Sequence, residues 1–376
     1  MLAHVAFRSL LLVMLCCHCT FYLRQPTDND TNPGGGAGSG GEMGPGTTDI
    51  VGEPPPGEWS NVTNNLTGLP AGFANLTLVS AKPDEDKLIA GISEGGLWQS
   101  EDGGSSWAML GTKKASAKIG NRPSAIIYDP SASDVFWESG TYEIGVFRTD
   151  DGGSTFAQLG TIDSIDLVAI DLNDPDRKTL LASAHEKRDV FQSTDGGSTW
   201  TLISPNIPAS LNNCGYPLIL DAQTYLMVCA RFGGGEGGII KSADGGETWQ
   251  RVSDIPGILA PLVHSNGAIY WAVEGNSGLL KSTDEGESWR LISSVPVEMR
   301  PLELPDGKIA TVNKGYVLVS ADGGVTWHPA SPLLPYTPST LTYSTHQRAF
   351  YISHISTDPT VPEDAISRFD YDYESK

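Results

Sequence analysis

The stretch STDGGSTW at residues 193–200 decides the fold of this chain, because it recurs with small changes. Six copies are present at intervals of about 40 to 50 residues, which is the period of the blades of a β-propeller. Each copy follows two strands joined by a tight turn and precedes another strand, as in LIAGISEGGLWQSEDGGSSWAML at residues 88–110. The other copies are SEDGGSSW at 100–107, TDDGGSTF at 149–156, SADGGETW at 242–249, STDEGESW at 282–289 and SADGGVTW at 320–327.

The chain around the repeats supplies enough strands for seven blades. An upstream strand, such as SAIIYDP at 124–130 or LVAIDLN at 167–173, completes four strands for each copy. Three further strands follow Trp327 without a repeat, and GEWSNVTNNLTGLP at 57–70 provides their fourth strand, since Trp59 is followed by a pattern like that after Trp200. We therefore predict an all-β fold, a single propeller of seven four-stranded blades over residues 57–376, whose last blade is closed by the N-terminal strand.

The residues of the repeat suit a turn between the third and fourth strands of a blade. Its aspartate accepts hydrogen bonds from backbone N–H groups, and the glycine at the fifth position adopts a positive φ without a Cβ clash. The closing aromatic ring, at 107, 156, 200, 249, 289 and 327, packs between neighbouring sheets. The distal glutamate and wider spacing of a calcium loop are missing from the repeats. We predict a structural role for the six aspartates, which are Asp102, Asp151, Asp195, Asp244, Asp284 and Asp322.

The pattern S/T-x-D-x-G-x-T/S-W is the Asp box, and the chain resembles the Asp-box, or BNR-repeat, propellers over residues 57–376. Families with this repeat include sialidases, xyloglucan-cleaving glycosidases, sortilin-type receptors and photosystem II assembly factors. The resemblance implies the propeller fold. It does not select a function, because one fold carries many functions.

The composition narrows the range of partners. Asp and Glu number 45 against 24 Lys and Arg, which gives a net charge of −21 and a sequence pI near 4.6. A polyphosphate backbone is repelled by such a chain, so nucleic acid is not expected as a partner. No phosphate loop, nucleophile elbow or metal-ligand cluster is present in the sequence, and we therefore predict no cofactor and no metal. A monomer is expected.

The N-terminus has the layout of an export signal over residues 1–24. Arg8 precedes the apolar run SLLLVML at 9–15, which is too short to span a membrane as a helix. Cys16 and Cys17 follow the run, so two outcomes stay open: lipidation of one of these cysteines, as in bacterial lipoproteins, or simple cleavage. Residues 25–56 contain almost no large apolar side chain and are predicted to form a flexible tether. The expected location is therefore the cell envelope, through a lipid anchor, or the extracellular space.

Two cysteines remain within the predicted propeller. Cys214 and Cys229 flank a hairpin whose turn lies near Ala222 and Gln223, so they lie on paired strands almost opposite each other. A strict two-residue turn offsets them by a diagonal step, and an export signal permits a disulfide. The sequence therefore leaves both a disulfide and two free thiols open.

Candidate functional residues are predicted on the face opposite the Asp boxes. This face carries the turns between second and third strands and the loops that lead into the first strands. In a ring of blades the polar side chains of these turns and loops converge on a central funnel, where neighbouring charges shift pKa values. The candidates are Glu94, Arg122, Glu138, Tyr142, His185, Arg188, Arg231, Glu274, Arg300 and His354, with Glu143, Asp166, Glu186, Lys187, Asn213, Tyr216, Glu236 and Lys314 in the same turns and loops.

Two functions of different classes follow from this face. The first is a binding module of the cell envelope that recognises a glycan or a protein. The second is a glycoside hydrolase, sialidase-like or glucan-cleaving, that uses a pair of carboxylates drawn from Glu94, Glu138, Glu274 and Asp166. Against a sialidase, Arg122 lies in NRPS instead of the usual Arg-Ile-Pro element, and sialidase propellers have six blades. Against a xyloglucan-cleaving enzyme, the cleft of that family lies between two propellers. We expect the binding module.

Overall fold

A computed structural model describes residues 50–69, 76–211, 213–231, 236–355 and 365–375. Residues 45–376 form one compact unit. The predicted export signal at 1–24, including Cys16 and Cys17, lies outside the described residues, as does the tether up to residue 49. In the described part of the chain, no helix is long and apolar enough to cross a membrane.

The unit is a ring of seven four-stranded antiparallel sheets, which confirms the predicted seven-bladed propeller. The N-terminal strand is β1 (Ser60–Asn61). Blade 1 consists of β2 (Leu76–Ala81), β3 (Leu88–Ile92), β4 (Gly96–Ser100) and β5 (Ala108–Met109). Blade 2 consists of β6 (Arg122–Asp129), β7 (Ala132–Thr141), β8 (Val146–Thr149) and β9 (Ala157–Gln158). Blade 3 consists of β10 (Ile165–Ile170), β11 (Leu180–Ala184), β12 (Val190–Ser193) and β13 (Thr201–Leu202).

The second half of the ring follows the same order. Blade 4 consists of β14 (Cys214–Ile219), β15 (Tyr225–Cys229), β16 (Gly238–Ser242) and β17 (Gln250–Ser253). Blade 5 consists of β18 (Gly257–Val263), β19 (Ile269–Val273), β20 (Leu279–Ser282) and β21 (Arg290–Ser293). Blade 6 consists of β22 (Leu302–Glu303), β23 (Ile309–Asn313), β24 (Tyr316–Ser320) and β25 (His328–Pro329). Blade 7 consists of β26 (Thr340–Ser344), β27 (Ala349–His354), β28 (Ala365–Asp370) and β1.

Both ends of the chain build blade 7. Strand β1 pairs with β28, with Ser60 opposite Arg368 and Asn61 opposite Ser367, so the predicted closure by the N-terminal strand is confirmed. The segment before β1 also contacts the ring: Ile50 forms a parallel bridge with Trp327, and the Val51 N–H donates to the Trp327 carbonyl at 2.8 Å. Residues 50–56, within the predicted tether, therefore begin on blade 6 and lead to blade 7.

The six repeat turns have one hydrogen-bond pattern. In blade 1 the Ser100 hydroxyl donates to Asp102 Oδ1 at 2.7 Å and accepts from the Gly104 N–H at 2.8 Å, while the Ser106 N–H donates to Asp102 Oδ1 at 2.9 Å. The same three bonds recur in the other five turns. Gly104 has a φ of +94°, as a turn of this kind requires. The aspartate carboxylate thus takes the place of backbone hydrogen-bond acceptors that the turn lacks.

The core lies between the blades. One cluster of buried side chains joins Trp137 and Val146 of blade 2 to Val168 and Leu180 of blade 3, and comparable clusters occupy the other interfaces. The aromatic residues that end the repeats belong to these interfaces. The indole of Trp200, for example, donates from Nε1 to the Leu159 carbonyl of the preceding blade at 3.1 Å. Neighbouring blades therefore stabilise one another through apolar contact and a few cross-blade hydrogen bonds.

Cys214 and Cys229 form a disulfide and lie directly opposite each other, with Cα atoms 3.9 Å apart. The register of β14 against β15 shifts between Gly215 and Leu218, and Tyr216 in this bulge has a φ of +50°. The extra residue of the bulge cancels the diagonal offset that a regular hairpin would impose, so the two sulfur atoms meet.

Candidate functional site

The polar turns lie on the face opposite the repeat turns. Because the strands of each blade alternate in direction, the turn between its second and third strands and the loop into its first strand share one face. We call this the funnel face, and the face of the repeat turns the box face. First strands of successive blades, such as β10, β14 and β18, contact each other and so surround the centre of the ring.

Blades 2 and 3 bring a hydrogen-bonded set of side chains together on the funnel face. His185 Nδ1 lies 2.7 Å from Asp166 Oδ1, and its Nε2 lies 3.3 Å from the hydroxyl of Tyr142. The Tyr142 ring meets the imidazole edge to face, with centroids 5.3 Å apart. We call Tyr142, Asp166 and His185 the relay. Its members come from the β7–β8 turn, the start of β10 and the β11–β12 turn, so it spans two blades.

Ser164, in the loop before β10, holds the relay in position. The backbone of Ser164 accepts from the His185 N–H at 2.7 Å, and its N–H donates to the Glu143 carbonyl at 2.8 Å. Its hydroxyl accepts from the Tyr142 N–H at 3.2 Å. Ser164 adopts a φ of +53° to make these contacts. Sequence reasoning missed Ser164, because a serine in a polar loop carries no recognisable signal.

The surroundings favour the protonated form of His185. The hydrogen bond that the protonated Nδ1 donates to the Asp166 carboxylate raises the pKa of His185, with a further contribution from the charges of Asp166 and Glu186, while partial burial and the positive charge of Arg122 act in the opposite direction. Tyr142 is about half exposed, and the His185 side chain keeps 21% of its accessibility. The relay therefore presents to solvent a phenol hydroxyl backed by an imidazole and a carboxylate, groups that bind polar ligands and transfer protons.

Glu138 is not in the turn where the sequence reasoning placed it. It lies in β7, is fully buried and receives a 3.3 Å hydrogen bond from Asn121 Nδ2. Its Oε1 has no hydrogen-bond partner among the described residues. Burial raises the pKa of Glu138 to about 8, only slightly opposed by the Asn121 bond. The carboxyl does not reach solvent, because β7 continues to Thr141 and carries position 138 into the interface with blade 1.

The blade 4 and blade 5 candidates bond to one another instead of to the relay. The Arg231 N–H donates to Glu274 Oε2 at 3.0 Å, and its Nη2 donates to the Asp254 carbonyl at 3.0 Å. Glu236 is paired with Arg251 at 3.1 Å. Glu138 does not share an opening with His185 and Arg231, as the sequence reasoning expected, because it is buried in β7.

The remaining candidates are spread around the ring. Glu94 is an exposed turn residue of blade 1, and Arg188 is an exposed turn residue of blade 3. His354 in blade 7 stacks on Tyr336 with centroids 4.7 Å apart, and its Nδ1 lies 2.9 Å from the Thr337 carbonyl. Arg300 precedes β22 and is exposed. No group of three or more His, Cys, Asp or Glu side chains within the described ranges is arranged to hold a metal ion.

The box face has a polar cleft of about 410 Å³ between blades 1 and 2, which sequence reasoning did not anticipate. Lys87, Asp134 and Asp151 are among its lining residues. The buried Lys82 amino group bonds Asp134 at 2.6 Å and also Glu85. The Lys82–Asp134 pair joins the two blades, which accounts for the polarity of the cleft in structural terms.

Comparison with solved structures supports the fold. YCF48 bound to a D1 peptide has a TM-score of 0.53 and 16% identity, over 84% of this chain and 97% of that one. The GH74 xyloglucanase from Xanthomonas campestris has a TM-score of 0.52 and 18% identity, over 83% of this chain and 55% of the enzyme. The extracellular domain of a putative one-component system from B. thetaiotaomicron has a TM-score of 0.57 and 9% identity, over 83% of this chain and 40% of that one.

The protein is a seven-bladed β-propeller. At these identities the three likenesses concern the fold alone, and the chain spans about half or less of the xyloglucanase and of the extracellular domain. No family model and no curated protein matches the chain.

Proposed function

We propose that the protein is an exported Asp-box propeller whose funnel face recognises an extracellular glycan or protein. In this proposal residues 1–24 direct export, with or without lipidation of Cys16 or Cys17, residues 25–49 of the predicted tether lead from this signal to the ring, and the propeller acts as a monomer. The membership in the Asp-box group rests on the six identical turn geometries. The three structural neighbours agree with it in fold, one being bound to a peptide and one being an extracellular sensor domain.

The relay is the observation that carries the binding proposal. Six repeat turns are built alike, whereas the relay belongs to one pair of blades and leaves a half-exposed tyrosine at the surface. Side chains fixed by hydrogen bonds to one another lose little entropy when they bind a ligand, which favours recognition. A histidine held by an aspartate is also a general base in many enzymes, so hydrolysis of a glycoside is the outcome that would replace simple binding.

A binding and hydrolysis screen tests the proposal. The full chain is applied to arrays of glycans and of extracellular peptides, and in parallel to chromogenic glycosides. We expect a ligand whose affinity falls by about 1 to 3 kcal/mol in His185→Ala and in Tyr142→Phe, because each substitution removes a hydrogen-bonding group of the relay. His346→Ala, an exposed histidine in the β26–β27 turn of the box face, is the matched control and should bind as the wild type does.

Two results would decide against recognition by the relay. Ligand binding that is unaffected by both relay substitutions would move the site elsewhere on the ring. Turnover of a glycoside that is lost in His185→Ala while binding persists would make the protein an enzyme, because it separates the transition state from the ground state.

A further inference from the structure

Arg300 lies in a segment that buried side chains hold in place. Asn313 Nδ2 donates to the Pro296 carbonyl at 2.7 Å, and Thr311 Oγ1 donates to the Met299 carbonyl at 2.8 Å. Asn313 and Thr311 are both fully buried in β23. The Glu298 N–H further donates to the Val312 carbonyl at 3.0 Å. The backbone before β22 is thus fixed by three bonds to the neighbouring strand.

The guanidinium of Arg300 has no partner in the part of the chain that the structure describes. Arg300 is exposed, and it forms no hydrogen bond or ion pair with the described residues. Two other cations of the funnel face are engaged by protein groups: Lys187 pairs with Asp163 at 3.2 Å, and Arg231 donates to the Asp254 carbonyl at 3.0 Å. Desolvation by the surrounding protein lowers the pKa of Arg300, although the residue keeps contact with solvent.

Ring geometry places Arg300 across from the relay. Blade 6 is three blades away from blade 2 in one direction and three blades away from blade 3 in the other. The first strands of the blades together surround the centre of the ring. The backbone at Arg300 leads directly into the first strand of blade 6. The backbone of Arg300 and the relay therefore lie on opposite sides of the ring.

We infer that Arg300 makes the funnel a binding site for an anionic group, namely a carboxylate, sulfate or phosphate. An overall charge of −21 repels anions from most of the surface, so an anion gains only where a cation lacks a protein counter-ion. A planar guanidinium with several free N–H donors binds such a group in a bidentate manner. The inference deepens the proposed function and rests on it for the meaning of the site, since the anion would be one end of the recognised ligand.

Small anions test the inference without knowledge of the natural ligand. Citrate, sulfate and inorganic phosphate are titrated into the full chain by calorimetry and by thermal shift, against sodium chloride at equal ionic strength. We expect at least one of the three to bind and to raise the melting temperature of the wild type. The affinity should fall at least tenfold in Arg300→Gln and recover in part in Arg300→Lys, which keeps the charge.

Arg188→Gln is the matched control, because it removes an exposed arginine from the same face at blade 3. It should leave the anion affinity within twofold of the wild type. Circular dichroism of Arg300→Gln establishes that the variant is folded, and Arg300→Lys gives a second reading of the site. Absence of binding by all three anions, or equal binding by wild type and Arg300→Gln, would overturn the inference.

The outcomes separate this inference from the proposed function. If the arrays yield a ligand that depends on His185 but the anion titrations are negative, only the anion site fails. If citrate, sulfate or phosphate binds through Arg300 and no glycan or peptide depends on the relay, the recognition proposal fails and the anion site stands. The anion that binds most tightly identifies the anionic group of the ligand.

Discussion

The two faces of the ring are built on opposite principles. On the box face, six turns repeat one set of hydrogen bonds, with an aspartate that accepts from the backbone N–H four residues later. On the funnel face the contacts differ from blade to blade: a relay in blades 2 and 3, an arginine–glutamate contact in blades 4 and 5, and in blade 6 an arginine with no hydrogen bond or ion pair among the described residues. Uniform contacts serve the fold, which every blade needs, whereas singular contacts are available for recognition.

The largest effect should come from removing the strand that closes the ring. Deletion of residues 57–70 removes β1 and leaves β28 as an unpaired edge, so we expect loss of cooperative folding or a large fall in the melting temperature. Deletion of residues 25–49, which lie outside the described chain, should leave the melting temperature within a few degrees of the wild type. Equal melting temperatures for the two deletions, measured by calorimetry, would refute closure by the N-terminal strand.

A pair of aromatic substitutions tests the contrast between the faces directly. Trp327 ends a repeat and is fully buried, so Trp327→Ala should lower the free energy of unfolding by about 3 to 5 kcal/mol through the cavity that it leaves. Tyr142 on the funnel face is about half exposed, and Tyr142→Ala should change the free energy of unfolding by less than about 1 kcal/mol. Denaturant unfolding measures both. A Tyr142 variant as unstable as the Trp327 variant would mean that the relay is part of the core.

The sequence was a good guide to the fold because the repeats are local. A turn whose aspartate, glycine and aromatic residue lie within eight positions can be recognised without knowledge of tertiary contacts, and six of them determine the number of blades and the need for a closing strand. The candidate site was harder to predict, because it depends on where strands end. The β7 strand carries Glu138 inward, and the bulge at Tyr216 sets the register of Cys214; neither feature has a sequence signature of its own.

Convergence around the ring was likewise only partly predictable. Side chains at matching positions of successive blades do share a face, and the sequence placed Tyr142, Asp166 and His185 among its candidates. Which of them bond depends on side-chain directions and on a short loop residue, Ser164, whose backbone and hydroxyl join two turns. Patterns of residue type contain no information of this kind.

Substitution of Glu138 should have the smallest of the three expected effects. It tests whether this residue belongs to the core or to the funnel face. Its folded-state pKa is about 8 against 4.5 for an ordinary glutamate, so between these values the folded protein keeps a proton that the unfolded chain has released. The buried carboxyl of Glu138 therefore does not lower the free energy of unfolding below pH 4.5. Its destabilising effect grows as the pH rises and is complete above pH 8.

Glu138→Gln removes the ionisable group at nearly equal volume, and we expect it to stabilise the protein by about 3 kcal/mol at pH 7 and by almost nothing at pH 4. The measurement is the free energy of unfolding from urea titrations between pH 4 and 8, with Glu94→Gln in the exposed blade 1 turn as the control that should show no such slope. A Glu138→Gln variant that is destabilised at every pH would mean that the carboxylate is ionised and bonded in the folded protein, and would return Glu138 to the set of funnel residues from which its burial removes it.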